Sequence, residues 1–211
     1  MTDPAENMPI IILAAGSSSR MGGLDKLMQM VDGVPLIRRQ VDLARSVTTG
    51  PVIVALPPPP HARYDALAGT GSCCLTVADA AEGMNASLRA GCAALPADTP
   101  GAMILLGDLP DLTESDLKKV LQSVDFKSAT LVWRGATEPG KPGHPVVFSA
   151  RMFDRIAQLS GDSGGREAIA AVRDHVQLIP LPGNRARLDL DTPQDWAAWR
   201  AAQAANNNCD S

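Results

Sequence analysis

Short apolar runs rich in β-branched residues alternate along the chain with longer segments of helical period. Strands are predicted at Ile10–Leu13, Val52–Leu56, Leu75–Val77, Met103–Leu106, Ala129–Trp133, Pro145–Phe148, Val176–Ile179 and Arg187–Leu190. The first, second and fourth are unbroken apolar runs bounded by Gly or Pro, the pattern of strands covered on both faces. Between the strands, Ile37, Val41 and Ala44 repeat at i, i+4, i+7 and predict a helix over Leu36–Val47. Thr113 with Asp116 reads as a capping box opening Glu114–Val124, and Met152–Leu159 also reads as helical. Thr192-Pro193-Gln194-Asp195 places an N-cap before a proline at the first helical position. Trp196 and Trp199 then share one helical face, as core residues do. Pro57–Pro60 predicts a stiff extended linker, since proline continues neither a ladder nor a helix interior. Alternating strands and helices imply an α/β sandwich around a mostly parallel sheet.

Composition narrows this picture. With 211 residues the chain is read as a single domain, large enough to bury a core without metal or disulfide, with polar ends at 1–8 and 206–211 expected to fray. Nineteen basic against twenty-three acidic side chains leave a net charge of −4, which argues against nucleic acid or anionic membranes as partners. Cys73, Cys74, Cys92 and Cys209 form no CxxC pair, so reduced thiols are expected. No basic n-region opens the chain, and no apolar run approaches the ~18 residues of a membrane span. A cytoplasmic protein is the expectation.

Three segments could carry chemistry. The first strand runs into Leu13-Ala14-Ala15-Gly16-Ser17-Ser18-Ser19-Arg20-Met21-Gly22-Gly23-Leu24-Asp25-Lys26. Small residues there let the backbone approach a ligand, successive N–H groups form an anion-binding concavity, and Arg20 and Lys26 add positive charge. The loop matches neither a Walker A nor a dinucleotide fingerprint, and the bland alternative is a turn. Gly107-Asp108-Leu109-Pro110 follows another buried strand, so Asp108 should face the crevice at the carboxyl ends of the sheet. A carboxylate beside phosphates suits Mg²⁺; an ordinary strand-to-helix turn is the alternative. Asp189 and Asp191 alternate at the end of the last predicted strand and share one face, either toward the site or as surface charge.

In this order the segments resemble the MobA-like nucleotidyltransferases, and within them the molybdenum cofactor cytidylyltransferases. The likeness rests on the Leu13–Lys26 loop, Glu82-Gly83-Met84, Ser87-Leu88-Arg89-Ala90-Gly91, Gly107-Asp108-Leu109-Pro110, Gly143-His144-Pro145-Val146-Val147-Phe148, Gly161-Asp162-Ser163-Gly164-Gly165-Arg166 and Asp189–Asp195. The resemblance implies a Rossmann-like three-layer α/β/α sandwich of nucleotide-diphospho-sugar transferase type. It implies that Leu13, Ala14, Ala15, Gly16, Ser17 and Ser18 wrap the phosphates of a nucleoside triphosphate. Arg20 would meet the β/γ-phosphates and Lys26 the α-phosphate. Asp108 would ligate Mg²⁺, with Asp191 or its rival Asp189 completing the site. Gly83, Met84 and Ser87 would touch base and ribose, while His144, Asp162 and Gly164 would face the acceptor. Leu109 gives no vote on the base, Asn85 replaces a small residue beside the nucleoside, and Ala15 favours cytidine.

The implied reaction is transfer of CMP from CTP to a phosphorylated acceptor, molybdopterin, with release of pyrophosphate. A molybdoenzyme or its chaperone would be a further partner. An anionic nucleophile needs no general base, so catalysis would rest on Arg20, Lys26, Asp108 and Mg²⁺. The competing readings are a guanylyltransferase, a sugar-phosphate nucleotidyltransferase and a non-catalytic nucleotide-binding chaperone. Gly161-Asp162-Ser163-Gly164-Gly165 also spells a Gly-x-Ser-x-Gly elbow, with Asp174 and His175 downstream, but that elbow needs a strand before its serine.

Overall fold

The computed structural model describes residues 6–209, with side chains through Ala205. The described chain runs β1 (Ile10–Leu13), β2 (Met30–Val31), β3 (Val34–Pro35), α1 (Leu36–Val47), β4 (Val52–Leu56), α2 (Ala62–Ala66), β5 (Cys73–Thr76) and α3 (Met84–Ala93). It continues through β6 (Gly101–Leu106), α4 (Glu114–Gln122), β7 (Val132–Ala136), β8 (Pro142–Ser149), α5 (Phe153–Ala157), α6 (Arg166–Ala170), β9 (Val176–Pro180) and α7 (Pro193–Cys209).

Seven strands form one sheet in the order β5-β4-β1-β6-β8-β7-β9. The strand β8 pairs antiparallel with β6 and β7, and every other pairing in the sheet is parallel. Side-chain alternation along β1, β4 and β6 splits the apolar residues between two cores, one on each face. Ile10, Ile12, Val54, Met103 and Leu105 enter the first core with Ile37 and Val41 of α1, Leu117 of α4 and Trp196 of α7. Ile11, Leu13, Ile53 and Ile104 enter the second with Leu88 of α3, Ile156 of α5 and Ala168 of α6. Each such aliphatic side chain stabilises the fold by about 1.5–3 kcal/mol when fully buried. The result is the expected α/β/α arrangement around a mostly parallel mixed sheet. Helix α3 lies close on β1 because a Cβ added at Gly91 would stand 2.6 Å from Ile11 Cγ2. That approach brings the start of α3 beside the end of β1.

Several boundaries differ from the expectations. Residues 187–190 form no strand; the Asp189 N–H donates to Arg187 O at 2.9 Å in a turn after β9. The strand expected at Ala129–Trp133 is displaced to Val132–Ala136, because Asp125–Ser128 is a turn and the ladder pairs Val132 with Phe148. The proline run bends at 58–60 instead of continuing straight, and His61 caps α2 by accepting the Arg63 N–H at 3.3 Å. Residues 6–8 are not loose: Met8 is buried, and Glu6 O accepts the Thr49 N–H. Helix α7 continues through residue 209, while residues 1–5, 210 and 211 of the expected frayed ends lie outside the described residues. The Thr113–Asp116 capping box is present, and Trp196 and Trp199 pack edge to face at 5.9 Å.

Candidate active site

Strand order reverses at β1, whose chain successor β4 lies on one side and β6 on the other. Ligands of open α/β sheets bind at such a switch point, outside the carboxyl ends of the strands. The two strand ends there are joined, since the Gly107 N–H donates to Leu13 O at 3.2 Å. Residues 13–20 and 26, Gly83, Met84, Ser87, Gly107, Asp108, Asp162 and Asp191 line a common cleft of about 830 Å³. Small-molecule sites run roughly 300–1,000 Å³.

Lys26 stands at the centre. Its Nζ donates to Asp108 Oδ2 at 2.5 Å and to Asp191 Oδ1 at 2.7 Å, and Arg20 Nη1 reaches Asp191 Oδ2 at 2.5 Å. Burial pulls the lysine pKa down, but Asp108 and then Asp191 outweigh it and the net shift is upward. Asp108 Oδ1 is buried with no hydrogen-bond partner. Asp189, the rival of Asp191, is exposed and forms no hydrogen bond or ion pair with Lys26, although it lies near enough to feel its charge; its pKa is raised by partial desolvation and by Asp108 and Asp191. With no strand at 187–190, Asp189 and Asp191 do not share a strand face, so the alternation argument for pairing them fails.

The loop after β1 is held from behind by residues that sequence reasoning passed over. Arg63, from α2, is 1% exposed. It donates Nε and Nη2 to Asp25 at 2.7 Å each, Nη1 to Ala14 O at 2.5 Å, and Nη2 to Ser18 Oγ at 3.3 Å. Ser18, at φ +53°, accepts the Lys26 N–H, while Asp25 accepts the Leu27 N–H. Burial raises the Asp25 pKa, but Arg63, Leu27 and Ser18 together bring it below the usual carboxylate value. The Ser18 hydroxyl therefore braces the loop from within the lining of the cleft. Asp25 and Arg63 lie 38 residues apart, and no local motif announces their pairing.

The start of α3 forms the opposite wall. Gly83, at φ +124°, comes so close to the 160s loop that an added Cβ would meet Gly161 O at 2.8 Å. Glu82, although exposed, accepts from Arg89 and from the Gly161 N–H, which hold its pKa down to about 2, so it ties this turn together. Asn85 is fully buried: its amide donates to Ser160 O at 2.6 Å and Ser163 Oγ at 2.9 Å and accepts the Gly165 N–H at 3.0 Å. It clamps a loop instead of reading a base. Leu109 is likewise buried, its carbonyl accepting from Gln40. Ser163 follows α5 and a turn, not a strand, so the nucleophile-elbow reading loses its required context.

His144, Asp162 and Gly164 line a second cavity that shares Leu13, Met84, Leu106 and Asp162 with the main cleft. Asp162 Oδ1 accepts the Met84 N–H at 2.8 Å. Burial, and then Arg134, push the His144 pKa down to about 4. Its Nδ1 is buried without a partner.

Residues 10–177 match the MobA-like NTP transferase domain, over a span that contains both walls of the cleft. The chain belongs to the MobA-like NTP transferase family. This MobA-like protein is 27% identical to a molybdenum cofactor guanylyltransferase of Desulfosudis oleivorans, over 88% of its own length and 87% of that protein. It is 26% identical to the bifunctional protein GlmU of Leifsonia xyli subsp. xyli over 89% of its length, but spans only 39% of GlmU. Among solved structures, Rv0371c of Mycobacterium tuberculosis H37Rv superposes with a TM-score of 0.78 at 27% identity, covering 92% of this chain and 97% of that one. Rv0371c has also been solved in complex with manganese.

Among the described residues of this MobA-like transferase, no helix is long and apolar enough to cross a membrane. Among the described residues, no cluster of three or more His, Cys, Asp or Glu is arranged to hold a metal. Magnesium does not require one, because it is commonly held by one or two carboxylates with phosphate oxygens completing the shell. The orphaned, buried Asp108 Oδ1, with Asp191 on the other side of Lys26, fits that demand.

Proposed function

We propose that this nucleotidyltransferase moves CMP from CTP to the phosphate of a molybdopterin acceptor and releases pyrophosphate. The observation that carries the reading is Lys26 joined to both Asp108 and Asp191 at the mouth of a cleft walled by the Leu13–Arg20 loop.

On this reading the backbone of Ala14, Ala15, Gly16 and Ser17 cradles the phosphates. Arg20, exposed at the loop tip, takes the β/γ end, and Lys26 turns from the carboxylates toward the α-phosphate. Asp108 and Asp191 would hold Mg²⁺, which neutralises developing phosphate charge when bound. Gly83, Met84 and Ser87 frame the nucleoside. The acceptor enters past Asp162, Gly164 and His144, and its anionic oxygen attacks the α-phosphorus in line without a base. Positioning and charge compensation supply the catalysis.

Thermal-shift titration with CTP, GTP, ATP and UTP in Mg²⁺ tests this, since a ligand that binds the folded state raises the melting temperature. CTP should give the largest shift, and pyrophosphate should appear only with acceptor present. Equal shifts for all four nucleotides, or none, would remove the proposal. A larger shift with GTP would favour guanylyl transfer, the second reading, which the D. oleivorans relative supports. The choice of CTP rests on Ala15 alone.

A further inference from the structure

The second cavity carries positive charge that neither the nucleotide nor the proposed metal explains. Arg134, on β7, and Arg166, opening α6, both line it beside His144. Arg134 is half-buried, and its Nε and Nη2 donate to Gly143 O at 3.2 and 3.1 Å, which fixes the plane of the guanidinium and leaves Nη1 unassigned. Neither arginine forms a salt bridge among the described residues. Arg187 adds a third cation close enough, with Arg166 and after burial itself, to lower the Arg134 pKa. One carboxylate, Asp162, lies on this wall, and its Oδ1 is taken by the Met84 N–H. The remaining wall is apolar: Leu88, Ile104, Val146, Phe148 and Ile169.

A half-buried guanidinium such as Arg134 without a counter-ion is costly unless an anion completes it, and the exposed Arg166 on the same lining adds a second cation. Guanidinium forks are also matched to carboxylate and phosphate oxygens. Electrostatics of the reaction require such a site. An anionic nucleophile must approach an anionic α-phosphate, and Lys26 and Arg20 are committed to the nucleotide side.

We infer that Arg134 and Arg166 form an oxyanion seat for the acceptor, whose phosphate or carboxylate they hold while its apolar, ring-sized body packs on Leu88, Phe148 and Ile169. This deepens and rests on the nucleotidyl-transfer reading. It requires the acceptor to carry an anionic group.

Calorimetric titration of the full chain with phenyl phosphate, with benzyl alcohol as the uncharged control, tests the seat. Saturable binding of phenyl phosphate alone is expected. Arg134→Gln and the exposed Arg166→Leu should each weaken it at least tenfold, about 1.4 kcal/mol. CTP binding should stay within twofold of wild type in both arginine variants. No saturable binding, equal binding by benzyl alcohol, or phenyl phosphate binding unchanged in both arginine variants would overturn the inference. Arginine-dependent binding of phenyl phosphate by a chain that binds no nucleotide would sink the transfer reading and leave the seat standing. Nucleotide binding with arginine-insensitive phenyl phosphate binding would do the reverse.

Discussion

Arg63 and Lys26 each sit among carboxylates on either side of the loop that follows β1, yet their surroundings are completed differently. Around Arg63 one guanidinium meets one carboxylate, Asp25, and the spare donors reach Ala14 O and Ser18 Oγ. Charge is balanced and the arginine is closed from solvent. Around Lys26 two cations, Lys26 and Arg20, face Asp108, Asp191 and the nearby Asp189, and one Asp108 oxygen has no partner. The first cluster is finished by folding. The second keeps excess negative charge and an open cleft, as a site does that is finished by a cation and a phosphate chain. A difference in completion, more than in composition, separates a brace from a binding centre.

Breaking the brace should have the largest effect on stability. Arg63→Ala leaves Asp25 without its partner, and loss of one member of a buried pair costs about 3–5 kcal/mol. Urea unfolding should show a loss of that order. Arg63→Met combined with Asp25→Leu should recover most of it, and a loss below about 1 kcal/mol in the single variant would erase the distinction drawn above.

His144 sharpens the contrast from the open side. The unfolded chain takes up its imidazole proton near the ordinary pKa of 6.5, whereas the folded protein resists protonation until about 4. Protonation therefore favours unfolding, and stability should fall as pH drops from 6.5 toward 4, by up to about 3 kcal/mol. His144→Asn should flatten that part of the pH profile of the melting temperature.

The smallest expected free-energy change accompanies removal of the central lysine or its partner. Lys26→Ala and Asp108→Ala should each lower turnover at least tenfold, about 1.4 kcal/mol of barrier, with unfolding midpoints near wild type. Wild-type rates of pyrophosphate release in both would take the site away from this cleft.

The open cluster was far more legible than the closed one. Lys26 stands at the end of a contiguous small-residue loop, and Asp108 follows an apolar strand, so each carries its own local signal. Arg63 lies in an unremarkable helical turn after four prolines, and its meaning appears when α2 folds back over Asp25. Asn85 shows the same limit from another direction. Next to Met84 of the Glu82-Gly83-Met84 motif, it reads as a residue beside the nucleoside, whereas its amide is spent on Ser160, Ser163 and Gly165. Arg134 gave no pattern and Arg166, though it closes the Gly161–Arg166 segment, took no role from it, since strand β7 and the first turn of α6 supply one each.

What the amino-acid order determined by itself was the alternation of buried strands and amphipathic helices, and with it two loops at the carboxyl edge of a parallel sheet. Those features are local, because a 2-residue or 3.6-residue period and a capping residue act within a few positions of each other. Tertiary structure decided which of Asp189 and Asp191 meets Lys26, which polar side chains are consumed as braces, and where uncompensated arginines gather. Such outcomes depend on distances between elements far apart in the chain, and on whether a group's hydrogen bonds and charge are already satisfied once they pack.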